Sequence, residues 1–68
     1  MIGEKLKFML EMKGITQREL AQKLGTTEVT VSRYINNTRD PKSEMIVKIC
    51  RVFDISADWL LEIKKSGK

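Results

Sequence analysis

Histidine is absent from this chain, and cysteine and proline occur once each, as Cys50 and Pro41. Without histidine the commonest general base and metal ligand is missing. A single cysteine makes no internal disulfide, so no covalent staple holds the fold. Long apolar runs are missing too. None approaches the ~20 residues that span a bilayer. The N-terminal "MIGEKLKFML" alternates charged with apolar residues where a signal peptide carries an unbroken apolar segment. There is no phosphate-cradling glycine loop, metal-ligand cluster or nucleophile–base pair, so neither an enzyme nor a cofactor is expected. The nine carboxylates are dispersed along the chain like ordinary solvated helix residues. The expected setting is soluble, intracellular and cytoplasmic.

What remains is a 68-residue chain with 41% hydrophobic residues, enough for one small globular domain and too many for a disordered tail. A domain of this size buries only about 60% of the surface its unfolded chain exposes. Its core must therefore be compact. Thirteen basic residues against nine acidic ones give a net charge of +4, spread thinly with no basic block. That balance permits a nucleic-acid partner without establishing one.

A period of 3.6 dominates the hydrophobic pattern. Ile2, Leu6 and Leu10 recur every four residues with Met9 beside them. Residues 2–13 therefore read as an amphipathic helix that Gly14 stops. Thr16-Gln17-Arg18-Glu19 is a capping box, with a Thr N-cap and a Glu three residues on. It starts a short helix whose Leu20, Ala21 and Leu24 share a face, and Gly25 ends that helix. Further on, Ser43 is expected to cap a helix from Glu44 to Phe53 with a stripe of Met45, Ile46, Ile49, Cys50 and Phe53. Asp54 and Ile55 connect to a fifth helix capped by Ser56 and running through Trp59, Leu60 and Ile63. Residues 1–64 form the expected domain, and 65–68 a frayed polar tail.

Between Gly25 and Pro41 the pattern is less direct. Five of the seven residues from Thr26 to Ser32 are Thr or Val, which favours a strand on composition alone. A strand would set Glu28, Thr30, Ser32 and Tyr34 on one face and Thr27, Val29, Val31, Arg33 and Ile35 on the other. Arg33 breaks the second face, and the first is mostly polar. A helix divides the residues more cleanly: Val31, Tyr34 and Ile35 converge on one side, and Val29, Ser32, Arg33 and Asn36 fall opposite. Its propensity cost is a few tenths of a kcal/mol per β-branched residue, about an order of magnitude below the ~1.5–3 kcal/mol from burying each of Val31 and Ile35. Thr27 is the expected N-cap. Asn36-Asn37 supply a left-handed closing turn, and "NNTRDPK" is a loop stiffened by Pro41.

The second and third helices then meet across a tight turn at Gly25. Ala21 allows close approach, and Leu20, Leu24, Val31 and Ile35 lock the pair. This is a helix-turn-helix arrangement, which presents its second helix to the DNA major groove. The segment "TQRELAQKLGTTEVTVSRYINN" resembles the helix-turn-helix of the phage-repressor (Cro/CI, or XRE) family of DNA-binding domains. Gln17, Leu20-Ala21, Gly25, Val31 and Ile35 carry the likeness, which continues through Pro41 and "DISADWLL" over nearly the whole chain. The resemblance implies an all-α, lambda-repressor-like, compact five-helix domain that binds operator DNA, usually as a two-fold homodimer. Two departures stand out. Family members often pair a buried Arg and Glu where this chain has Leu10 and Ile35, a matched apolar swap that leaves no charge stranded. Asn37 stands where Gly is common, and Asn tolerates the left-handed conformation.

The outer side of the third helix is the expected reader of bases. Val29 suits a thymine methyl, although a single exposed valine needs no such explanation. Arg33 fits guanine O6 and N7, a phosphate, or plain solvation. Glu28 either accepts from cytosine N4 or complements the helix dipole. Thr27, Thr30 and Ser32 reach toward bases or bond locally to backbone. Gln17 and Arg18, at the start of the second helix, are candidates for a phosphate; family members commonly place such a contact at Gln17. Asn36, Thr38, Arg39 and Lys42 are candidates for the flanking backbone.

Cys50 is expected in the core. Trp59 is either core or part of a dimer surface, and Leu60 and Leu61, on different faces of a short helix, cannot both be buried. The leading function is a sequence-specific, double-stranded DNA-binding transcriptional regulator, most simply a repressor. The alternatives on the same helical frame are a protein-interaction module or an antitoxin. No metal, small-molecule ligand or membrane is expected as a partner.

Overall fold

A computed structural model of the chain describes residues 2–61. Among these residues the elements, in order, are α1 (Ile2–Lys13), α2 (Gln17–Leu24), α3 (Glu28–Ile35), α4 (Ser43–Phe53) and α5 (Ala57–Leu61), with no strand. The Thr- and Val-rich stretch is therefore helical. The expected continuation of the fifth helix to Ile63 and the 64/65 domain boundary lie outside the described residues.

The ends of these helices are set by local chemistry. At Thr16 the capping box closes in both directions: Thr16 Oγ1 accepts from the Glu19 N–H at 3.1 Å, and Glu19 Oε1 accepts from the Thr16 N–H at 2.8 Å. Ser56 Oγ accepts from the Trp59 N–H at 3.1 Å at the start of α5. Ser43 does not play that part. The first α4 bond runs from the Ile46 N–H to the Lys42 carbonyl, so Lys42 is the N-cap and Ser43 is already the first helical residue. The cap is thus one residue earlier than expected, and α4 begins without a side-chain cap.

Helix C-termini share one solution. Gly14, Gly25, Asn37 and Asp54 all take positive φ, between 56° and 73°. In each case the following N–H reaches back five residues: Ile15 to Leu10, Thr26 to Ala21, Thr38 to Arg33 and Ile55 to Cys50, at 2.9–3.1 Å. These are left-handed caps that satisfy carbonyls the helix itself leaves open. Asn and Asp stand in for glycine at two of them because a short polar side chain tolerates that conformation. The expected left-handed turn at 36–37 falls on Asn37 alone, since Asn36 has φ −85°. Asp54, expected only as a connector, closes α4 in the same way.

The core is wholly apolar: Ile2, Leu6, Met9 and Leu10 from α1 meet Leu20, Ala21 and Leu24 from α2, Val31 and Tyr34 from α3, Ile46, Ile49 and Phe53 from α4, and Leu60 from α5. No polar or charged residue is buried among the described residues. Leu10 belongs to this core and Ile35 packs half-buried against it, so both positions are held by apolar packing. Cys50 is half-buried at the core's margin. Leu60 is fully buried while Leu61 remains 43% exposed, which resolves the conflict between the two leucines; Trp59 is 39% exposed.

α1 crosses the end of α3 at very close range. Gly3 is buried there. A Cβ at this position would overlap the Ile35 carbonyl and sit 2.8 Å from Asn37 Oδ1. Backbone therefore meets backbone with no room for a methyl group, a close approach that only glycine allows. The sequence pattern, which reads side-chain periodicity, gave no sign of it. Gly3→Ala is expected to destabilise the fold by about 1–3 kcal/mol, the usual cost of overpacking. Urea denaturation checks this, and an unchanged midpoint would show that the crossing is looser than described.

Candidate nucleic-acid interface

The site is built on the pairing of α2 with α3. Gly25, at φ 73°, turns the chain sharply enough for Leu20, Ala21 and Leu24 to face Val31 across the turn. Val31 is fully buried and Tyr34 nearly so. With that side of α3 sunk in the core, the opposite side must face out. Val29 is 61% exposed, a large apolar side chain held in solvent by the rotation of the helix.

Around Val29 a shallow depression of about 450 Å³ is lined by Gln17, Glu28, Val29, Ser32 and Arg33. Four expected base readers and one expected phosphate contact thus stand together, contributed by the first turn of α2 and the outer side of α3. Among the described residues neither Glu28 nor Arg33 is held in an ion pair or side-chain hydrogen bond. Their ends are free to meet a ligand.

The remaining polar side chains of α3 are bound locally. Thr27 Oγ1 accepts from the Thr30 N–H at 3.2 Å, so Thr27 is the N-cap as expected, and the two hydroxyls share a hydrogen bond at 2.9 Å. Asn36 Nδ2 donates to Ser32 Oγ at 3.4 Å. Thr38 Oγ1 donates to the Arg33 carbonyl at 3.3 Å, so its hydroxyl closes the helix end. Arg18 is exposed on α2 and does not line the depression.

Past α3 a second, smaller cleft of about 180 Å³ is lined by Tyr34, Arg39, Lys42, Glu44, Met45 and Lys48. It gathers Arg39 and Lys42, both expected as phosphate contacts, and adds Lys48. In the sequence, Lys48 carries no mark beyond that of a solvated helix residue. Three cations around one cleft, against the single carboxylate of Glu44, make a local positive field that suits an anion.

Cys50 stands apart from both clefts. Burial raises its thiol pKa above the usual value, which favours the neutral form. Among the described residues no group of three His, Cys, Asp or Glu side chains is placed to hold a metal ion. No described helix is long and apolar enough to cross a membrane.

A model of a helix-turn-helix family matches residues 6–60, most of the chain. The chain belongs to that family. It is 33% identical over 70 residues to the HTH-type transcriptional regulator ImmR of Bacillus subtilis (strain 168), covering 98% of this chain and 55% of ImmR. It is 41% identical over 68 residues to the repressor protein CI of Enterobacteria phage phi80, covering 98% of this chain and 28% of CI. The chain thus spans about half the length of the first relative and about a quarter of the second. Among solved structures, the P22 c2 repressor in complex with a synthetic operator matches with a TM-score of 0.84. That match has 22% identity and covers 88% of this chain and 91% of that one, which supports the all-helical fold.

Two outcomes follow from this geometry. Thr27→Ala should cost about 1 kcal/mol of stability, the usual value of an N-cap, whereas Glu28→Gln and Val29→Ala should stay within about 0.5 kcal/mol. Denaturant titration measures all three, and an equal loss across them would contradict the division between capping and outward-facing residues. The Cys50 thiol should alkylate more slowly than a free cysteine at pH 8, because its raised pKa leaves less thiolate. Alkylation as fast as that of a cysteine-containing tripeptide would contradict it.

Proposed function

We propose that this chain is a sequence-specific, double-stranded DNA-binding transcriptional regulator, acting as a cytoplasmic repressor that occupies an operator through the major groove. One observation carries the reading. The exposed side of α3 presents an unengaged valine, arginine and glutamate beside the first turn of α2, in a frame that buries the opposite side of the helix. Val29 offers a methyl-sized apolar contact for thymine, Arg33 a bidentate donor for guanine, and Glu28 an acceptor for cytosine N4. Glu28 is repelled by phosphates, so its place in the depression favours selective over indiscriminate binding. The names of the similar proteins, a transcriptional regulator and a phage repressor, support the same reading.

In this account the chemistry divides in two. Gln17 and Arg18 on α2, and Asn36, Thr38, Arg39 and Lys42 beyond α3, grip the phosphate backbone and set the register. The N-terminus of α2 adds a favourable field for an anion at Gln17. Thr27, Glu28, Val29, Thr30, Ser32 and Arg33 then meet the base edges, with Thr27 and Thr30 exchanging part of their mutual bonding for contacts to DNA. Two subunits engage half-sites about one helical turn, ~34 Å, apart. The exposed Trp59 and Leu61 supply apolar area for pairing near the end of α5.

Selection of bound duplexes from a random pool should return a preferred half-site and its spacing. Against that duplex, Arg33→Ala should weaken binding by about 1–3 kcal/mol and relax preference at one base pair. Lys42→Ala should weaken all duplexes alike and reduce the log–log salt slope by about one. A pool that yields no preference, or an Arg33→Ala variant that binds as the parent does, would remove the base-reading assignment.

A further inference from the structure

The end of α3 is tied to the start of α1 by a side-chain contact that lies outside both the outward depression of α3 and the apolar core. Asn37 Oδ1 accepts a hydrogen bond from the Gly3 N–H at 3.0 Å, across 34 residues of sequence. Three features make the contact specific. Asn37 stands at φ 60°, the left-handed position that closes α3 through the Thr38–Arg33 bond. Gly3 lies in the first turn of α1, where helix N–H groups have no partner within their own helix. The missing Cβ of Gly3 lets the Ile35 carbonyl and the Asn37 side chain come up against α1. Glycine at position 37 would meet the backbone requirement equally well but would lack the acceptor. Asparagine meets both.

We propose that Asn37 is a positioning residue for DNA reading: its side chain latches the end of α3 to the first turn of α1 and fixes the angle at which Val29 and Arg33 stand out. α3 is eight residues long and is held at its other end by the Gly25 turn and the Thr27 cap. Clamped at both ends, it has little freedom to rock about its buried side. Base contacts demand this, because a recognition group must be held within roughly 0.5 Å and 10–20° of its productive geometry. Backbone contacts are electrostatic and tolerate more movement. Loss of the latch therefore lowers discrimination between DNA sequences before it lowers binding to DNA in general.

The inference rests on the DNA-reading function proposed above, and its test separates the two. The probes are the duplex selected from the random pool and a scrambled duplex of the same length and composition. Affinity for each is measured by fluorescence anisotropy at one salt concentration, and the readout is their ratio. Asn37→Gly keeps the left-handed turn and removes the acceptor. Its ratio should fall by about fivefold, the scale of one net hydrogen bond, while its helical circular dichroism matches the parent's. Asn37→Asp keeps an acceptor oxygen. Its ratio should stay within about twofold of the parent's, although both affinities drop because a carboxylate now stands near the phosphates. A change that merely unfolds part of the sample lowers both affinities alike and leaves the ratio in place. An unchanged ratio in Asn37→Gly, or an equal fall in Asn37→Asp, overturns the latch. A parent ratio near one overturns the DNA reading itself, and the latch with it.

Discussion

The rest of the structure depends on one side of α3 being buried. An isolated eight-residue helix is far too short to be stable in water, and half of this one consists of β-branched residues that favour extended backbone. Sinking Val31 and Tyr34 into the core holds the segment helical. The same burial sets its rotation about its own axis. Because Val31 must face in, Val29 and Arg33 must face out, and the outward residues stand where an external partner can meet them. The fold and the exposed stripe of α3 are here two consequences of one packing constraint.

Two glycines make that constraint workable, for different reasons. Gly25 supplies the left-handed turn that folds α3 back against α2, so that Leu20, Ala21 and Leu24 close over Val31. Gly3 supplies space, letting α1 lie directly on the backbone at the end of α3. One acts through its φ angle and the other through its missing side chain. The apolar pair Leu10 and Ile35 completes the same region without charge. That avoids the desolvation cost of a buried ion pair and leaves shape, with the Gly3–Asn37 hydrogen bond, to fix the crossing.

The sequence made the helices legible because their signals are local. Periodicity marks the buried stripes, Thr16 and Glu19 spell a capping box, and Gly14 and Gly25 punctuate the first two helices. The outward stripe of α3 was legible for the same reason: once Val31 is placed inside, helical geometry places Val29, Ser32 and Arg33 outside. What stayed hidden was either non-local or without a composition signal. The Gly3–Asn37 contact spans 34 residues, and a glycine in the first turn of a helix carries no mark of what presses on it. Lys48 follows Lys42 and Met45 at helical spacing along α4, but Arg39 joins them only through the path of the loop between α3 and α4. Asp54 takes a glycine-like conformation that aspartate adopts rarely enough to be read first as a connector. Ser43 was misplaced by one residue because a serine ahead of a helix suits a cap and a first-turn position almost equally well.

The outer side of α3, with the first turn of α2, is the surface proposed to meet DNA. The most direct measurement is an amide chemical-shift titration of isotope-labelled protein with a preferred duplex. The account predicts that the largest changes fall on Gln17, Val29, Ser32 and Arg33, with a second group at Thr38, Arg39 and Lys42. Shifts confined to Lys5, Phe8 and Trp59, where Lys5 Nζ lies 4.9 Å over the Trp59 ring and the two aromatic rings are 6.2 Å apart, would contradict it.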